Sequence, residues 1–293
     1  MKERIITGIG IGVVCIPILI LSKFIVYPIF LGFLSVIAVW ELLRVFGFER
    51  RLEVFIPSYA VAGLLPVFAH EMFTKGNQGG YLLVVAATLF GFLLYLAAIC
   101  VIGKEIIMQR NESQGEEKKQ RILQFGDISE VFLSVTYVTV SFTSMSLTRY
   151  MKNGVYIFAL VFICAWMSDM FAYFTGRLFG KHKLAPNLSP KKTIEGSIGG
   201  IFFAIIGCVI YGFIVEKITG LQARYLVLSI IGLILSVISQ IGDLFASLIK
   251  REHEVKDYSR MLPGHGGVMD RFDSILAIST VLMAACMLIP PFV

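Results

Sequence analysis

The sequence predicts an all-α integral membrane protein with about nine transmembrane helices and a cytoplasmic N-terminus. Of its 293 residues, 57% are hydrophobic and only 16% are charged, which leaves too little polar surface to cover a soluble globule. Several stretches of about 20 residues carry few or no charges, and that length crosses the roughly 30 Å hydrocarbon core of a bilayer. A transmembrane β-barrel is disfavoured because its strands would alternate apolar and polar residues, whereas residues 81–102 are apolar all round.

The predicted spans are apolar runs separated by charged residues, glycine or proline. The third span is short and contains Pro57 and Pro66, which predicts a kinked or re-entrant helix, and eight or ten spans are the alternatives to nine. The nine spans cover residues 5–22, 24–45, 54–69, 81–102, 128–147, 155–174, 197–214, 225–249 and 272–292.

The basic residues favour one orientation of these spans. With the N-terminus inside, 20 of the 26 Lys and Arg residues fall on the cytoplasmic side, as the positive-inside rule requires. The net charge of +6 therefore reflects membrane topology, and no nucleic-acid partner is expected. Among the long cytoplasmic segments, residues 103–127 read as a solvated connector, whereas 175–196 and 250–271 combine Gly, Pro, Lys, Arg and Asp in a way that indicates function.

Asp243 is the first candidate for a site within the membrane. It lies one to two turns inside the eighth predicted span, where an unpaired carboxylate is costly unless it binds a cation. Ser247 and Lys250 follow at positions i+4 and i+7, on the same helix face. The alternative is a structural carboxylate that is simply paired with Lys250 or Gln240.

Asp270 and Asp273 are one helical turn apart at the start of the last span, directly after a glycine-rich turn. Two carboxylates, completed by water and phosphate oxygens, suit Mg²⁺, although acids are also favoured in any first helical turn. The backbone N–H groups of Gly266 and Gly267 can approach phosphate closely. His265 is a candidate donor to phosphate or a general acid or base, with a purely structural use as the alternative.

Residues 166–196 form a second constellation. Asp169 is another acid near the cytoplasmic surface, and Lys191, Lys192 and Thr193 offer two cations and a hydroxyl for a phosphate or a lipid headgroup. The Lys pair is also typical of a topological signal, and the spacing of Gly196 and Gly200 predicts close helix packing. Glu41, beside Trp40, is interpreted as a helix-end residue near the membrane interface.

The pattern S-x-x-K-R, four residues, K-D, then L-P-x-H-G-G-x-x-D-R-x-D runs from Ser247 to Asp273 and resembles the phosphatidate cytidylyltransferase family. That resemblance implies a nucleotidyltransferase that makes CDP-diacylglycerol and pyrophosphate from CTP and phosphatidic acid in phospholipid biosynthesis. It implies Asp243, Asp270 and Asp273 around Mg²⁺, with K⁺ as a candidate second cation. The phosphate-binding candidates are Lys250, Arg251, Lys256, Arg271, Lys191 and Lys192.

Two regions follow from this resemblance: residues 1–127, with N-terminal transmembrane helices and a connector, and residues 128–293, a catalytic region with its site at the cytoplasmic helix ends. A prokaryotic plasma membrane is the expected location and the endoplasmic reticulum the alternative; the sequence leaves open whether the chain forms a homodimer.

The rival functions are a CTP-dependent lipid kinase, which would release CDP, and a secondary transporter whose acids line a permeation path.

Overall fold

The computed structural model describes residues 22, 24–48, 51–75, 125–186, 188–262, 264 and 266–293. Within these residues the chain forms seven α-helices and one short β-hairpin. The elements are α1 (Val26–Val45), α2 (Leu52–Lys75), α3 (Phe125–Tyr150), α4 (Gly154–Phe179), β1 (Lys183–Ala185), β2 (Ser189–Thr193), α5 (Ile194–Thr219), α6 (Tyr225–Glu252) and α7 (Met269–Leu288).

Each of the seven described helices is long and apolar enough to cross a membrane. They correspond to seven of the nine predicted spans, whereas the predicted spans 5–22 and 81–102 lie outside the described residues, apart from Ser22 at the end of the first. The all-helical, multi-pass membrane class is therefore confirmed. The number nine and the orientation stay predictions.

Five of the described helices are longer than the sequence predicted, and α2 and α4 differ in ways that matter for the fold and the site. The third predicted span forms one helix of 24 residues, α2, with Pro57 and Pro66 inside it. Helix α4 continues to Phe179, although residues 175–179 were predicted to be loop. This extension places Gly176 and Arg177 on a regular helix beside the start of α5.

Small residues bring α4 and α5 into the most extensive helix contact in the described chain. A Cβ atom added at Gly200 would lie 2.8 Å from the Ser168 carbonyl oxygen, and one at Gly196 would lie 2.6 Å from the Ala172 carbonyl oxygen. Both distances are shorter than van der Waals contact allows. The predicted packing role of Gly196 and Gly200 is confirmed.

The hairpin and the α6–α7 connector (residues 253–268) lie at the same end of the helix bundle, which we call the site end. The two strands are antiparallel, with Lys183 opposite Thr193 and Ala185 opposite Ser189. The Arg251 Nε–H, at the end of α6, donates a hydrogen bond to the Leu188 carbonyl oxygen at 3.4 Å. Two segments that are far apart in sequence therefore meet over the same helix ends.

Candidate active site

A cavity of about 600 Å³ lies at the site end, between α4, the hairpin, α5 and α6. Two of its lining residues are acids and four are bases, which is the composition expected where a polyphosphate and a cation bind together. Its charged lining residues are Asp169, Asp243, Arg177, Lys183, Lys191 and Lys192.

Asp243 is paired across the cavity with a residue of the hairpin. The Lys192 Nζ and Asp243 Oδ2 atoms form an ion pair whose side chains are 25% and 30% exposed, so both remain accessible to a ligand. The alternative pairing of Asp243 with Lys250 or Gln240 is wrong. Gln240 donates instead to the Ser197 carbonyl oxygen at 3.2 Å. Helix periodicity could not foresee the true partner, because the partner arrives from a different element.

Asp273 completes a group of three carboxylates that come from α4, α6 and α7. It interacts electrostatically with both Asp243 and Asp169, and Asp169 interacts with Asp243. Within the described ranges, however, no three His, Cys, Asp or Glu side chains converge closely enough to enclose a metal ion. A cation bound here would need oxygens from water or from a substrate as well.

Asp270 occupies a separate, buried cluster and, like Asp273, is not a lining residue of the cavity. Its Oδ1 lies 2.9 Å from the Lys250 Nζ, and its Oδ2 accepts backbone hydrogen bonds from Tyr258 at 2.8 Å and Gly267 at 3.0 Å. Only 4% of the Asp270 side chain is exposed. The pairing of Asp270 with Lys250 fixes the start of α7 against the end of α6.

Tyr258 closes this cluster from the connector. Its hydroxyl donates to the Ala246 carbonyl oxygen at 2.8 Å, and the Lys250 ammonium lies 5.3 Å from the centroid of its ring. Burial raises the pKa of the Tyr258 hydroxyl well above its ordinary value, and the negative charge of Asp270 adds to that shift. The hydroxyl therefore stays protonated and remains a hydrogen-bond donor.

The other predicted site residues lie at the same end with different surroundings. Thr193 is buried and caps α5, because its Oγ1 accepts from the Gly196 N–H at 3.1 Å. Ser247 is half-buried on α6, Gly266 has a φ of +80° that favours glycine, and His265 lies outside the described residues. The exposed basic residues are Lys191, Arg251, Lys256 and Arg271.

Three residues with a place in this region were missed or misread from the sequence. Arg177 and Lys183 line the cavity and lie within the segment 175–196 that the sequence already singled out. The basic residues of that segment could therefore have indicated both of them. Glu41 lies about one turn before the end of α1, as predicted, but it is fully buried and hydrogen-bonded to other elements. Nothing in the local sequence could reveal this, because its hydrogen-bond partners are more than 200 residues away.

The known relatives agree with the family that the motif indicated. A model of the cytidylyltransferase family matches residues 2–289. The phosphatidate cytidylyltransferase of Bacillus subtilis (strain 168) is 30% identical over 96% of this chain and 96% of its own length, and that of Staphylococcus aureus (strain COL) is 32% identical over 96% and 97%. The Staphylococcus haemolyticus (strain JCSC1435) enzyme is 40% identical over 54% of this chain and 58% of its own. The chain therefore belongs to the cytidylyltransferase family.

Proposed function

We propose that this protein transfers the cytidylyl group of CTP to phosphatidic acid and forms CDP-diacylglycerol and pyrophosphate for phospholipid synthesis. The observation that carries the proposal is the cavity at the site end, in which Asp169 and Asp243 face Arg177, Lys183, Lys191 and Lys192. The relatives with near-complete coverage bear the name phosphatidate cytidylyltransferase, and the helices that line the cavity are long and apolar enough to cross a membrane, which supports a lipid substrate.

The reaction requires one bond to form and one to break. A phosphate oxygen of phosphatidic acid attacks the α-phosphorus of CTP, and the bond from that phosphorus to the oxygen bridging to the β-phosphorus breaks, so that pyrophosphate leaves. The nucleophile is already ionised near neutral pH and needs no general base. Catalysis then depends on positioning the two phosphates and neutralising their charge, which is the task of Arg177, Lys183, Lys191 and Lys192.

The acids fit a magnesium site that includes substrate oxygens. Asp243 and Asp273 would supply hard oxygen ligands from two helices, and Mg²⁺ in nucleotide sites uses one or two carboxylates with water and phosphate oxygens. A bound Mg²⁺ would stabilise the charge that develops on the α-phosphate and on the leaving pyrophosphate. Lys192 would then turn from Asp243 to a phosphate oxygen.

Asp270, the third predicted Mg²⁺ ligand, already has partners on both of its carboxylate oxygens. Both of its oxygens accept hydrogen bonds or an ion pair from Lys250, Tyr258 and Gly267. It can bind a cation only if Lys250 moves away, for example to a phosphate. Otherwise its role is to hold α7 in place, so that Asp273 faces Asp243.

We further propose that the site end faces the cytoplasm of a bacterial cell and that the bilayer is the plasma membrane. CTP is a cytoplasmic nucleotide, and the motif-bearing loops carry basic residues, as cytoplasmic loops do. Light scattering of the detergent-solubilised protein would distinguish a monomer from the homodimer that the sequence leaves open.

The decisive experiment measures pyrophosphate release and lipid product with purified protein, CTP, phosphatidic acid and Mg²⁺. CDP-diacylglycerol and pyrophosphate in equal amounts, both lost with EDTA and in Asp243→Asn, are expected. Glu252→Gln, which changes an exposed acid on the same helix, is the matched control and should retain activity. Asp270→Asn tests whether Asp270 also contributes to cation binding. Release of CDP with a phosphorylated lipid alcohol would refute the proposal in favour of a lipid kinase.

A further inference from the structure

Helix α7 begins without a capping side chain of its own. Its N-cap residue is Val268, which makes no side-chain capping hydrogen bond, and the first N–H groups of any helix need acceptors from outside the helix. Because α7 carries Asp270 and Asp273, the way its first turn is fixed determines where both carboxylates point.

The missing cap comes from Glu41, near the end of α1. Its Oε1 accepts from the Val268 N–H at 2.9 Å and from the Ser259 hydroxyl at 2.6 Å, and its Oε2 accepts from the Met269 N–H at 2.7 Å. Glu41 is fully buried. A carboxylate at a helix N-terminus also interacts favourably with the helix dipole. Because Ser259 and Met269 stand at the two ends of the loop 259–269, the single Glu41 side chain holds both ends of that loop.

The same contact explains a glycine of the motif. A Cβ atom at Gly267 would overlap all three atoms of the Glu41 carboxylate group. On the other side of the loop, a Cβ atom at Gly266 would lie 2.9 Å from the Asp270 Oδ2. The turn is therefore enclosed between Glu41 and Asp270, and its glycines are required by these neighbours as well as by backbone conformation.

We propose that Glu41 is a positioning residue for the transferase reaction: by capping α7 and holding Ser259, it fixes the loop 259–269 and orients Asp270 and Asp273. This gives one residue of the N-terminal region, where no motif residue lies, a defined part in the site. The turnover readout below rests on the proposed function, whereas the amide-exchange readout does not.

The test replaces Glu41 by Gln, which has nearly the same shape. The amide NH₂ would face a backbone N–H or the Ser259 hydroxyl, so one hydrogen bond of the cap is lost and the negative charge is removed. Ser35→Ala is the matched control, because Ser35 is buried on the same helix and its hydroxyl has no hydrogen-bond partner among the described residues.

Two readouts are expected to change together in Glu41→Gln. The kcat for CDP-diacylglycerol formation should fall by about tenfold to 100-fold with KM for CTP within about twofold, since a displacement of about 1 Å has effects of this size. Hydrogen exchange should accelerate in peptides covering 259–269 and stay unchanged in peptides of α5. Ser35→Ala should match the wild type in both readouts.

The proposal is overturned if kcat stays within twofold of wild type, or if exchange in 259–269 does not change. It is also overturned if exchange rises throughout the helices with a loss of folded protein, because Glu41 would then serve the fold in general. If Glu41→Gln does not accumulate as folded protein, Glu41→Asp takes its place with the same readouts. A wild-type protein that forms no CDP-diacylglycerol would instead refute the proposed function, and exchange alone would then decide the positioning of the loop.

Discussion

Replacing Lys250 with methionine is expected to destabilise the protein through Asp270. The Lys250 and Asp270 side chains are only 16% and 4% exposed, and removing one partner of a buried ion pair typically costs about 3–5 kcal/mol. Asp270 keeps two backbone N–H donors, from Tyr258 and Gly267, which still stabilise its charge. We therefore expect a smaller loss of about 2–3 kcal/mol, at or just below the lower end of that range.

Thermal unfolding in detergent with a thiol-reactive dye measures this loss, because Cys164, Cys208 and Cys286 are free and buried and react once the helices separate. The expected decrease in unfolding temperature for Lys250→Met is about 5–10 °C. Lys256→Met, at an exposed position of the nearby connector, should change it by no more than about 1–2 °C.

The double variant Lys250→Met/Asp270→Asn provides the sharper comparison. With both charges removed, no carboxylate is left buried without its cation, so the double variant should be more stable than the sum of the single effects predicts, by about 1–3 kcal/mol. Additive effects, or a Lys250→Met variant as stable as Lys256→Met, would refute the structural role assigned to this ion pair.

Three further predictions concern the cavity and the helices around it. Asp243→Asn should lower kcat at least about 100-fold without lowering the unfolding temperature, because the relief of repulsion from Asp169 and Asp273 offsets the loss of the partly exposed ion pair with Lys192; a parallel loss of stability would contradict this. Gly200→Ala should destabilise by about 1–3 kcal/mol through overlap with the Ser168 carbonyl, whereas Gly126→Ala, where no atom of the described residues lies within 4 Å of the added Cβ, should not. Replacing K⁺ by Na⁺ in the assay should slow turnover if K⁺ is the second cation, and equal rates would remove K⁺ from the proposal.

The helices were predictable from the sequence because lipid imposes a simple rule on it. A segment that crosses the hydrocarbon core must satisfy its own backbone hydrogen bonds and must be about 20 apolar residues long. The seven described helices follow that rule and match seven predicted spans. Their ends were less predictable, as α4 shows, because Gly176 looks like a loop residue until the start of α5 packs against it.

Three acids of the candidate site could be singled out for different reasons. Asp169 and Asp243 stood out because acids are costly near the membrane interior, and Asp273 stood out with Asp270 as a pair of acids after the glycine-rich turn. The structure brings Asp169, Asp243 and Asp273 within electrostatic range of one another. The partners of these acids were not predictable. Helix periodicity relates residues three or four positions apart, whereas Lys192 reaches Asp243 from the hairpin and Lys250 turns away to Asp270.

The sequence by itself determined the membrane class, the segment that carries the transferase motif and the residue types of the site, because composition and spacing encode these locally. Only the tertiary structure decided which charges are paired, which acid is buried behind the cavity, and that Glu41 caps α7. Such contacts join elements up to 228 residues apart, and their distances depend on how the helices pack in three dimensions, which no local pattern records.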